Sequence, residues 1–311
     1  MVTWRGKTDV ERGFAEFCKG ARVDADWIWQ DAAQSPQRLS EIAADIERVK
    51  PDLVYTWGTP ATLGIAGSAA KPHPVIGKTI PLVFALVADP VAAGITLSRL
   101  DHGRNLTGVS HVAPLETQLE SMRAYRPVKG VGVFYNRAEP NSVSIVERWN
   151  VFGKSGGFPV VAVPFPSAGN ATQPQPFALD AIATHLAQMR TQGVNWLYLG
   201  PDSFLFTQLP LIAGTATRAG LPTFAAVESI IAGPAPVLVG LVSEFYQIGQ
   251  FAAYKAMRIL SGQRNLPIET LKRFSLIVRL DTAREIGIYP PLAMVDYADF
   301  RGQKKASGVI R

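Results

Sequence analysis

Apolar residues fall into short β-branched or aromatic runs, separated by stretches in which they recur at helical spacing. Leu53-Val54-Tyr55-Thr56-Trp57 is one such run, bounded by turn residues, and predicts a buried strand. Gly58 permits a sharp turn at its carboxyl end, Thr59 suits an N-cap and Pro60 the first helical position. A strand, a glycine turn and a helix start leave N–H groups free over the sheet edge, where open parallel sheets bind ligands. Ahead of this stretch, Trp4-Arg5-Gly6 reads as a strand end and turn, and Thr8 to Glu11 as a capping box leading into Val10, Phe14 and Phe17/Cys18. Trp27-Ile28-Trp29 predicts a second strand. Ser35-Pro36 opens a helix with the stripe Leu39, Ile42, Ala43, Ile46 and Val49. After the central strand come a helix to about residue 70, a strand over 81–88 ending in Asp89-Pro90, and a strand over 105–111.

A second alternating series follows. Helix is predicted over 114–125, strand over 131–135, and Asn136 to Ser142 turns into another helix. Strand 159–163 leads through a Pro-, Gly- and Gln-rich loop to a helix over 177–190. Strand 196–199 ends at Gly200-Pro201-Asp202-Ser203, and a helix then leads to Thr223 and on to Glu228. The last parts are a strand over 237–242, a helix over 246–260 stopped by Ser261-Gly262, a strand over 274–280, and a short helix capped by Asp281 and ended by Gly287. Strands alternating with helices predict parallel sheets covered on both faces, and two series of similar length predict two similar lobes. The predicted strand ends carry small, polar or charged groups: Arg5-Gly6, Gly58-Thr59, Asp89, Asn136, Glu139, Asp202 and Glu228. If the two lobes face each other, this set lines one ligand cleft.

Size and composition agree with two cores, since 311 residues exceed one ordinary domain and 47% are hydrophobic. The net charge of +6 is spread thinly, without a basic block or aromatic-basic stripe, so nucleic acid is not an expected partner. Lys304-Lys305 reads as a solvated tail. No apolar run reaches the roughly 20 residues that span a bilayer. Cys18, alone, sits in a helical apolar pattern and reads as buried, and no disulfide can form within the chain. Met1-Val2-Thr3-Trp4 carries no signal sequence and resembles the end of a first strand, as in a mature or trimmed form or a wrongly placed start. Enzyme motifs are absent. Gly77-Lys78-Thr79 has Pro72 where a phosphate loop needs glycine and precedes a strand, and no dinucleotide, zinc-protease or nucleophile-elbow pattern occurs. The four His residues (73, 102, 111, 185) suggest neither a triad nor a metal site, and His111, near a crossing, reads as a surface residue in preference to a cleft residue. The chain is therefore read as a non-enzyme without cofactor or metal.

Several stretches resemble one family. They are Pro51-Asp52-Leu53-Val54 with Gly58-Thr59, Pro81-Leu82-Val83-Phe84 running into Asp89-Pro90-Val91, and Asn105-Leu106-Thr107-Gly108-Val109-Ser110. Val133-Phe134-Tyr135-Asn136 with Glu139-Pro140-Asn141-Ser142, Asp202, and Glu244 to Gly249 complete the set. In this order and spacing they are similar to the substrate-binding proteins of bacterial ABC importers, in the group with tryptophan- and tyrosine-binding members. The resemblance implies a type I periplasmic binding protein: α/β, with two doubly wound parallel-sheet lobes joined by crossing hinge segments. It places residues 1–112 plus 244–273 in the first lobe and 113–243 plus 274–311 in the second, with the ligand cleft between them. It also implies a periplasmic or extracytoplasmic location, a membrane permease as partner, and closure over a small ligand.

Amino acids are the ligand class the resemblance implies, aromatic ones first. An α-carboxylate would be held at Gly58-Thr59 with Arg5, and an α-ammonium by Asp202, Glu228 or Asp89, the last of which, before Pro90, also reads as a plain turn residue. Trp4 and Trp57 are candidates to stack on an aromatic ring, against the plainer reading of each as core or rim. Asn136, Glu139 and Asn141 are second-lobe contacts, though capping alone accounts for Asn141. Two alternatives stand beside this reading: an aromatic acid lacking the amino group, and a ligand-sensing domain of a regulator. A DNA-binding regulator would carry a basic helix-turn-helix ahead of the first strand, and none occurs in this sequence.

Overall fold

The computed structural model describes residues 1–101, 103–167 and 174–302. The basic tail at Lys304-Lys305, His102 and part of the Pro-, Gly- and Gln-rich loop lie outside the described residues.

Short apolar runs become strands and amphipathic stretches become helices, in strict alternation over most of the chain. In order these are β1 (Val2–Thr3), α1 (Asp9–Gly20), β2 (Gln30–Asp31), α2 (Pro36–Val49), β3 (Val54–Trp57), α3 (Gly58–Ala66), β4 (Leu82–Ala85) and β5 (Leu106–Ser110). There follow α4 (Leu115–Tyr125), β6 (Val131–Tyr135), α5 (Pro140–Gly156), β7 (Val160–Pro164), α6 (Leu179–Thr191), β8 (Trp196–Leu199), α7 (Ser203–Arg218), β9 (Thr223–Ala225), α8 (Glu228–Ile231) and β10 (Val239–Val242). The chain ends with α9 (Phe245–Leu260), β11 (Glu269–Thr270), β12 (Ser275–Arg279), α10 (Leu280–Ile286) and β13 (Asp299–Arg301).

The chain divides into two compact units: Met1–Val112 with Ser243–Arg273, and Ala113–Val242 with the chain from Phe274 onward. In the first unit the sheet order is β11-β5-β4-β3-β1-β2, and every pair is parallel. Val54, Tyr55, Leu82, Val83, Phe84 and Ala85 are buried in this sheet, which explains their near-continuous apolar sequence. In the same unit α1 packs on α9 at backbone contact. A Cβ on Gly13 would strike the Tyr246 carbonyl, and one on Gly249 the Val10 carbonyl.

The second sheet runs β13-β12-β10-β9-β8-β6-β7. It is parallel except that β12 runs against β10. The chain leaves this unit at Val242 and re-enters beside it, with Ser275 opposite Val242, so the returning strand has to run backwards. Trp149, Trp196, Tyr198, Phe134 and Phe224 form the heart of its core. Each such side chain contributes roughly 1.5–3 kcal/mol of burial.

Three local expectations are corrected, and one segment without a sequence assignment gains an element. Trp27-Ile28-Trp29 is not a strand; pairing starts at Gln30, opposite Val2, where β1 has residues to bond. Helix α3 begins at Gly58 itself, with Trp57 rather than Thr59 in the N-cap position, because Gly58 (φ +84°) makes the whole turn in one residue. Asp281 lies inside the first turn of α10, which Arg279 precedes as N-cap, and Arg279 binds its carboxylate. The chain after Pro291 adds β13 beside β12, an element its sparse apolar pattern did not announce.

Candidate functional site

Parallel pairing puts the carboxyl ends of neighbouring strands on one edge. In the first unit this collects Trp4, Arg5 and Gly6 after β1, Trp57, Gly58 and Thr59 where β3 meets α3, and Asp89 after β4. Trp4, Trp57 and Thr59 are buried. The Arg5 guanidinium lies over the Trp57 ring, 5.3 Å from its centroid, an arrangement in which the ring face attracts the cation. The Gly6 N–H donates to Asp31 Oδ1 at 3.0 Å, which ties the turn after β1 to β2. The Trp57 Nε1–H donates to Thr8 Oγ1 at 3.2 Å. Asp89 is engaged locally: its Oδ1 accepts from the Val91 and Ala92 N–H groups at 3.2 Å, and Arg99 approaches to 3.8 Å.

In the second unit, adjacency of β6 and β8 brings the starts of α5 and α7 together. Asp202 is buried and its carboxylate meets four protein donors. Oδ1 accepts from the Phe204 and Leu205 N–H groups at 2.9 and 2.8 Å, while Oδ2 accepts from the Asn136 N–H at 2.7 Å and the Ser142 hydroxyl at 2.5 Å. Glu139 crosses the other way, both its oxygens facing the Ser203 N–H at 3.1 and 3.0 Å. Burial, and then the neighbouring charge of Asp202, pushes the Glu139 carboxyl above its ordinary value. Asn141 donates from Nδ2 to the Pro201 carbonyl, and Asn136 Oδ1 accepts from the Ala138 N–H. Each helix start is thus held by the acidic residue preceding the other or itself. Glu228 opens α8 at the end of β9, half-buried on the same edge.

The structure therefore gathers Trp4, Arg5, Gly6, Trp57, Gly58, Thr59 and Asp89 on one edge and Asn136, Glu139, Asn141, Asp202 and Glu228 on another, each within its own unit. His111, read as a surface residue, is instead buried at the end of β5, and burial pushes its imidazole down to about 3. Its Nδ1 has no hydrogen-bond partner among the described residues. Sequence reasoning missed Thr8, Glu11 and Ser142 as parts of these edges. The first two appear in sequence only as a capping box, and Ser142 only as a turn residue. A cavity of about 590 Å³ in the first unit lies elsewhere, on the amino-terminal side of the sheet against Met1, Val2, Ile28, Leu53 and Val54. It touches none of the predicted ligand residues. Among the described residues no cluster of His, Cys, Asp and Glu is arranged to hold a metal ion, and no helix is long and apolar enough to cross a membrane.

Residues 7–300 match the family described as ABC transporter substrate binding protein. The chain belongs to that family. Among relatives of this substrate-binding protein, a tyrosine-binding protein of Clostridioides difficile (strain R20291) is 24% identical over 261 residues, 83% of this chain and 69% of the relative. A solved conserved domain protein from Vibrio cholerae O1 biovar eltor superposes with a TM-score of 0.79 at 23% identity, covering 96% of this chain and 98% of its own. A domain from Streptococcus pneumonia, solved in complex with L-Trp, gives a TM-score of 0.77 at 20% identity over 96% of this chain and 98% of its own. The fold of this substrate-binding protein is that of the type I periplasmic binding proteins.

Proposed function

We propose that this substrate-binding protein is the solute receptor of an ABC import system, and that its ligand is a small aromatic carboxylate, an aromatic amino acid first of all. The observation that carries this is the first unit's edge. Two buried indoles, Trp4 and Trp57, lie there beside the Arg5 cation and the turn of Gly58 and Thr59. An indole offers a ring face to an aromatic side chain. A guanidinium and the N–H groups of a helix start complement a carboxylate. The tyrosine-binding relative and the L-Trp complex of a structural neighbour support the same ligand class. In this reading Asn136, Glu139, Asn141, Asp202 and Glu228 shape the second unit's share of the site. The two units close on the ligand, and the closed form docks on a membrane permease outside the cytoplasm. The reaction is binding and release, with no catalytic group assigned.

A des-amino aromatic acid is the second reading. It is favoured by the donors already gathered on the acidic residues: four on Asp202, the Ser203 N–H on Glu139, and two N–H groups on Asp89. An ammonium would have to compete with these bonds.

A thermal-shift panel of amino acids, aromatic acids, sugars and nucleosides tests the proposal. L-tryptophan, L-tyrosine or an aromatic acid is expected to raise the melting temperature. At a hundredfold excess over Kd the native state gains about 2.7 kcal/mol. A response confined to sugars would end the aromatic reading.

A further inference from the structure

Tyr55 and Trp57 stand two positions apart on β3, so their side chains share one face of the sheet. Both polar tips reach the same place, the capping box of α1. The Trp57 Nε1–H donates to Thr8 Oγ1 at 3.2 Å, and the Tyr55 hydroxyl donates to Glu11 Oε1 at 2.5 Å. Within the box the Thr8 N–H and hydroxyl donate to Glu11 Oε2 at 2.7 and 2.9 Å, and Thr8 Oγ1 accepts from the Val10 N–H at 3.2 Å.

A capping box needs no contact with a strand, and its acidic residue can stay in water. Here Glu11 is 2% exposed, and a carboxylate so buried is tolerated only when donors surround it. Three do: the Tyr55 hydroxyl and both Thr8 donors. Because the Thr8 hydroxyl spends its proton on Glu11, its lone pairs are turned toward Val10 and the Trp57 indole. Trp57 is thereby pinned at its nitrogen by Thr8, while the Arg5 cation lies over its ring. The Phe14 ring meets Tyr55 edge-on at 5.2 Å and backs the buried end of the chain of bonds.

We propose that Thr8 and Glu11 are positioning residues for ligand binding, holding the Trp57 indole and the Arg5 cation above it in the one orientation that receives an aromatic ring and its carboxylate. The inference rests on the receptor reading above and adds the groups that set its preference for aromatic ligands. An indole free to turn about its side-chain torsions would lose entropy on meeting a ligand ring, and one already fixed does not.

The test uses the full chain labelled with ¹⁵N at its indole nitrogens. The Trp57 resonance is identified by its loss in Trp57→Phe, and L-tryptophan and L-tyrosine affinities are read by calorimetry well below each variant's melting temperature. Thr8→Val is expected to move the Trp57 indole N–H resonance away from its hydrogen-bonded position and to weaken L-tryptophan about three- to tenfold, the scale of immobilising one side chain on binding. Thr8→Ser, which keeps the hydroxyl, is expected to restore both. An L-tryptophan affinity unchanged in Thr8→Val would overturn the proposal, and so would a Thr8→Ser protein as weak as Thr8→Val. A wild-type protein that binds neither amino acid sinks the parent reading and the aromatic preference with it. That failure is recognisable because the Trp57 resonance still responds to Thr8→Val.

Discussion

Asp202 and Glu139 are separated by more than sixty positions in sequence, yet each secures the helix that the other precedes. Asp202 caps α7 through Phe204 and Leu205 and also takes the Asn136 N–H ahead of α5, while Glu139 takes the first N–H of α7 from Ser203. A carboxylate has about four acceptor sites, and those of Asp202 already have protein donors. Asp202→Ala is therefore expected to lower stability by about 2–4 kcal/mol, combining a lost cap with buried donors left unpaired. Urea denaturation measures this. The same variant should weaken L-tryptophan and its des-amino analogue, indole-3-propionate, by equal factors. A loss confined to L-tryptophan would show that Asp202 reads the ammonium after all. The capping role is legible in sequence, because Asp202 precedes a helix start. The bond to Asn136 is not, because β7 and α6 intervene in the chain while β6 and β8 touch in the sheet.

Helices α1 and α9 come from opposite ends of the first unit's sequence and meet at backbone distance. Gly13 and Gly249 make that approach possible, since a methyl group at either would strike a carbonyl of the facing helix. Helix α9 is legible in the sequence as a helix over 246–260 stopped by Ser261-Gly262. Its partner is not, because a glycine inside a helix looks like a weak position until the facing helix is known. Gly249→Ala is expected to destabilise the protein by about 1–3 kcal/mol through overpacking, despite the better helix propensity of alanine. A fall in the denaturation midpoint with an unchanged slope is the expected result. A rise would mean that the helices separate at little cost.

At the scale of the whole molecule the chain passes between its two units three times, at residues 112–113, 242–243 and 273–274. Each unit thus owns a sheet built from segments distant in sequence, and the second accepts one reversed strand for the return. If the units close on a ligand, solution scattering should record a smaller radius of gyration when L-tryptophan or the best hit of the thermal panel is added. An unchanged radius at saturation would show binding without closure.

Local patterning determined most of the elements. The runs that became β3, β6 and β8, the capping box of α1 and the turn at Gly58 all follow from short-range sterics and hydrogen bonding, which nearby residues set by themselves. The alternation of strands and helices carried this as far as two α/β layers of parallel strands. Only the tertiary structure decided which strands are neighbours, and with that which polar groups meet: Trp57 with Thr8, Tyr55 with Glu11, Asn136 with Asp202. The same folding reversed β12, buried His111 and moved the second strand to Gln30. Such outcomes depend on contacts between residues far apart in the chain, whose burial and pairing no local window contains.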